Sequence, residues 1–142
     1  VIAGLLALSL AAGVQAQERT LLPGYADLPV IAGDPACGLF EAEAGTVTVT
    51  DCVTVPLETL NEVFYEYVGL LRRSGWRFTG GAAIVFYFQR DRPGGGCEGI
   101  DLAAMADFEM LERPESKPED MRFPSMIMFM KRPEVACVAE GL

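Results

Sequence analysis

The chain has 142 residues, with 20 acids against 11 bases and no histidine, for a formal charge of −9 at pH 7. An acidic surface repels phosphate backbones and anionic lipid, so neither nucleic acid nor a membrane surface is expected as a partner. The missing imidazole removes the Ser-His-Asp and Cys-His nucleophiles and the usual zinc and copper ligand.

Residues 1–16, VIAGLLALSLAAGVQA, carry no charge and end in Val14-Gln15-Ala16, small residues at the positions a signal peptidase reads. The run is short of the roughly 20 apolar residues that span a bilayer. We expect a signal peptide over 1–16, incomplete at its N-terminus because Val stands first and no basic segment precedes it. Residues 17–142 are then one mature domain, periplasmic or secreted and not held at the membrane. Four cysteines, Cys37, Cys52, Cys97 and Cys137, fit two disulfides in an oxidising compartment.

Gln17–Ala36 is dense in turn formers (Pro23-Gly24, Pro29, Gly33-Asp34-Pro35) and reads as an extended segment laid over the domain. In the next stretch, a loop at Ala44-Gly45 puts Phe40, Ala42, Val47 and Val49 on one face and Glu41, Glu43, Thr46, Thr48 and Thr50 on the other. Alternation on both strands predicts a hairpin with one buried face, and its register sets Cys37 opposite Cys52.

Pro56–Arg73 carries Leu57, Leu60, Phe64, Tyr67 and Leu71 at helical spacing, with Glu58 and Glu62 early and Arg72 and Arg73 late. Gly75 suits the left-handed position that ends a helix and lets Trp76 pack back on Leu71. Gly80-Gly81 is expected to turn a short strand at Trp76–Thr79 into a longer one at Ala82–Arg90. Asp101–Leu111 alternates as a strand, with the alanines leaving a helix open, and Ser125–Arg132 is a final strand apolar on both faces. The expected fold is therefore α+β: an antiparallel sheet of about five or six strands with one main helix on one face, in two layers.

RPGGGCEG, residues 92–99, contains G-x-G-x-x-G at Gly94, Gly96 and Gly99 behind a strand. A dinucleotide site needs a helix opening at the last glycine, and here an alternating segment follows, with Glu98 where phosphates would sit. A hairpin connection fits better. If the three strands from Ala82 onward run antiparallel in succession, Cys97 before the second lies beside Cys137 after the third, which pairs them.

Met126, Met128 and Met130 share one face of the last strand, and thioethers suit Cu(I). They equally suit a core, because methionine fills irregular gaps. Glu41/Glu43 and Asp107/Glu109 are carboxylate pairs of the kind a glycosidase uses, but solvated strand faces explain both. Arg72, Arg73 and Arg77 cluster at the helix end and could receive an acidic group, although compensation of the helix dipole explains them better. Two strands are apolar on both faces, so the sheet's second face needs a cover: the Leu21–Ile31 segment, another subunit or a ligand.

No catalytic residue and no cofactor is expected. The sequence reads as a small exported protein that binds a protein partner or a second copy of itself, or supports an envelope assembly. A carboxylate-dependent hydrolase and a periplasmic Cu(I) carrier on Met126, Met128 and Met130 are the alternatives.

Overall fold

A computed structural model describes residues 27–35 and 51–138. The expected hairpin over 37–52, with Cys37 and Glu41/Glu43, lies outside them apart from its end at Asp51 and Cys52. So do residues 1–16, the expected signal peptide.

The described residues form an antiparallel sheet of five strands: β1 (Asp51–Thr54), β2 (Arg77–Ala82), β3 (Val85–Asp91), β4 (Cys97–Met105) and β5 (Met126–Val135), in the order β1-β5-β4-β3-β2. The main helix, α1 (Leu60–Arg73), follows a 3-10 turn at Leu57–Thr59 that Pro56 precedes. Sheet and helix make the two-layer α+β fold that the hydrophobic pattern implies. No helix among the described residues is long and apolar enough to cross a membrane.

Helical spacing carries Phe64, Tyr67, Leu70 and Leu71 onto the sheet, where they meet Val53, Phe88, Ile100, Leu102, Ile127 and Phe129. Tyr67 lies edge-on to Phe129, ring centres 5.0 Å apart. The helix ends as its residues dictate. Gly75 takes a φ of +84°, its N–H donates to Arg72 O, and Trp76 N–H donates to Leu71 O. Trp76 is thereby folded back into the core at 2 % exposure.

The extended segment over 27–35 reinforces this same face. Asp27 pairs with Arg90 on β3, Leu28 is fully buried among the helix-side residues, and Asp34 bridges to Thr54 on β1. The Tyr67 hydroxyl donates to Ala32 O at 2.6 Å and so holds the segment to α1. Leu21–Ile31 is one of the three covers expected for the second face; its described part fills the helix layer instead.

Two elements depart from expectation. The β2–β3 turn falls at Ala83-Ile84, with Ala83 at φ 49°, rather than at Gly80-Gly81. A register shift between Phe78 and Gly80 takes up the glycines, and Gly81 stays in β2 opposite Phe86. The fourth strand starts at Cys97, four residues early, and stops at Met105. The side chain of Asp107 stops it by accepting the Met110 N–H, which caps a short helix, α2 (Phe108–Leu111). Asp107 and Glu109 are therefore not neighbours on a strand face.

Candidate functional site

The glycine loop is a hairpin connection between β3 and β4. Gly94, Gly95 and Gly96 all have positive φ, and the loop closes through Arg92 N–H to Gly96 O at 2.9 Å. Gly99 sits inside β4, where an added Cβ would lie 3.2 Å from the Arg132 guanidinium. That guanidinium crosses the strand to pair with Asp101 at 2.7 Å. Each glycine of the phosphate fingerprint thus has its own backbone reason, and a strand rather than a helix follows the last.

Cys97 and Cys137 are joined, as strand adjacency implies, with Cα atoms 5.3 Å apart. Cys52 is also disulfide-bonded, and Cys37, expected as its partner, is outside the described residues. Asp91 Oδ lies within 4.8 Å of both sulfurs of the Cys97–Cys137 bond. Sulfurs joined to each other are not thiolate ligands, so this cluster holds no metal while the bond is intact.

The methionines lie on the sheet face opposite α1. Register places Met128 between Cys52 and Ala103, and Met126 opposite Met105. Met126 and Met128 are 1 % and 8 % exposed, in a cluster with Cys52 and Ala103 that Val85, Met105 and Met130 flank. The second face is closed to solvent at its centre.

The arrangement of most interest lies in the connection from β4 to β5. Asp107 is 2 % exposed, and Arg122 grips its carboxylate from across the loop, Nε at 2.8 Å and Nη2 at 3.0 Å. The backbone N–H groups of Met110 and Arg122 donate to it at 3.2 Å each. The Arg122 hydrogen bonds, more than those amides, hold the Asp107 carboxyl far below the usual carboxylate range. Arg122 also meets Glu109 at 3.2 Å. This knot caps the N-terminal end of α2 and helps line a half-open cavity of about 350 Å³, together with Met110, Arg113, Ser116 and Asp120. Beside it, Phe108 and Leu111 are each 48 % exposed. Sequence reading missed the knot because Asp107 and Arg122 are 15 residues apart; the only local signal was an acid just ahead of a short apolar turn.

Asp51, on β1, is a different kind of carboxyl. It is 8 % exposed, and its Oδ2 has no hydrogen-bond partner. Burial pushes its pKa up to about 6, partly opposed by Lys131. The unfolded value is about 3.9, so the folded chain takes up the extra proton between these values. The group therefore costs nothing below about pH 4, and the full penalty applies above 6. Asp51→Asn should stabilise by about 3 kcal/mol at pH 7 and change little at pH 4. Urea unfolding at the two pH values checks this; equal destabilisation at both would mean that the carboxylate is satisfied.

Compared with protein families, curated proteins and solved structures, the chain matches none.

Proposed function

We propose that this is an exported, periplasmic or secreted binding protein without catalytic activity of its own, and that it meets its partner through α2 and the cavity beside it. The observation that carries the reading is the pairing of two half-exposed apolar side chains, Phe108 and Leu111, with an ion pair between the buried Asp107 and the exposed Arg122 that caps their turn. Exposed apolar groups on a pre-ordered turn lose little entropy on binding, which is what a contact site needs. The disulfides and the leader-like composition of Val1–Ala16 support export.

The alternatives find less support. A carboxylate hydrolase needs one carboxyl with a raised pKa inside its cleft. The cavity's buried acid, Asp107, is shifted the other way, and the raised carboxyls, Asp51 and Asp101, do not line it. A copper carrier needs thioethers that metal can reach, and Met126 and Met128 are buried.

A photo-crosslinking amino acid at Phe108 or Leu111, in a host that exports the protein, tests the reading. The same probe at Tyr65, 55 % exposed on α1, is the control. A discrete adduct is expected at 108 or 111 and not at 65; an adduct of twice the chain mass identifies a second copy as the partner. No adduct, or equal labelling at all three, contradicts the proposal.

A further inference from the structure

The Cys97–Cys137 bond joins two cysteines of unlike exposure. Cys97 is completely buried at the start of β4, whereas Cys137, beyond the end of β5, is exposed. An external thiolate can reach only the second. Beside the buried sulfur stands a cation: Arg77 Nη2 is 3.9 Å from Cys97 Sγ. Asp91 Oδ1 is 3.5 Å from the same sulfur but is largely solvated and already paired with Arg77 at 2.9 Å. Apart from the disulfide, the chain beyond β5 is held by Gln89, which donates to Ala136 O and accepts from Val138 N–H, both at 3.1 Å.

We propose that Cys137 is a site of thiol–disulfide exchange, at which a small or protein thiol forms a mixed disulfide and loosens the chain after β5. The incoming thiolate attacks Cys137 Sγ, the Cys97–Cys137 bond breaks, and its electron pair leaves on Cys97 as a thiolate facing Arg77. One disulfide is consumed and one formed, so no further oxidant is needed. Arg77 favours the step by stabilising the leaving thiolate, and Asp91 opposes it.

The test incubates the folded full chain with reduced glutathione, quenches in acid, alkylates after denaturation and maps the peptides. Glutathione is expected on Cys137 and the alkyl label on Cys97. Amide exchange at Val138 should rise as the adduct forms. Arg77→Gln should slow exchange about threefold to tenfold, and Asp91→Asn should speed it. Simple destabilisation would speed both variants, so the opposite signs separate leaving-group control from loss of fold. The inference is overturned by glutathione on Cys97, by reaction only where the protein unfolds, or by acceleration in Arg77→Gln.

Discussion

Met128→Ala is expected to destabilise the protein by about 2–5 kcal/mol, through the lost transfer energy of the side chain and the cavity left behind. Met128 is 8 % exposed and sits in a row across the sheet, with Cys52 on one side and Ala103 on the other. Two of its neighbours are small or constrained by a disulfide, so the site can collapse only partly and the cost should not fall at the low end. The melting midpoint should drop by roughly 10 °C or more. Added Cu(I) should leave the wild-type midpoint unchanged, because a metal stabilises only what it binds. A variant that melts like wild type, together with a wild type stabilised by copper, would restore the carrier reading.

Asp107→Ala is expected to abolish the crosslink at Phe108, with a loss of at least about tenfold in adduct. The variant removes the acceptor for two backbone amides and for the Arg122 side chain at once. Hydrogen bonds to a charged group are among the stronger ones, and here they all converge on one loop. The pH dependence follows from the direction of the shift. A carboxyl held below its unfolded value contributes stability above pH 4, and that stability is lost as pH falls toward the folded pKa. The loop should therefore keep its shape throughout the neutral and mildly acid range. Undiminished adduct in the variant would show that the knot does not organise the contact surface.

The layers of this fold are legible in the sequence because they rest on short-range periodicities. The α1 stripe, Gly75 at its end and the alternation that starts at Leu102 and Ala104 each depend on neighbours a few residues away. Strand adjacency then follows from consecutive hairpins, which is why Cys97–Cys137 can be read before any coordinates. The end of β4 is not legible in the same way. Met105-Ala106-Asp107-Phe108 continues the alternating pattern, and only the Asp107 side chain, bonded to Met110 and to a distant Arg122, decides that the strand stops there. The β2–β3 turn is not legible for a related reason, since a bulge and a turn both use glycine and tertiary pairing chooses between them. The candidate site belongs to this second class. It is made by a contact over 15 residues inside a loop that composition marks only as polar.

Amide hydrogen exchange of the isolated protein at neutral pH tests most directly whether α2 is a preformed contact surface. Slow exchange is expected at the Met110 and Arg122 N–H groups, both bound to the buried Asp107 carboxylate, in the absence of any partner. In Asp107→Ala the same amides should exchange on the order of 10- to 100-fold faster, while β4 and β5 stay protected. Exchange at unprotected rates in the wild-type protein would contradict the claim, because the surface would then have to be ordered by whatever binds it.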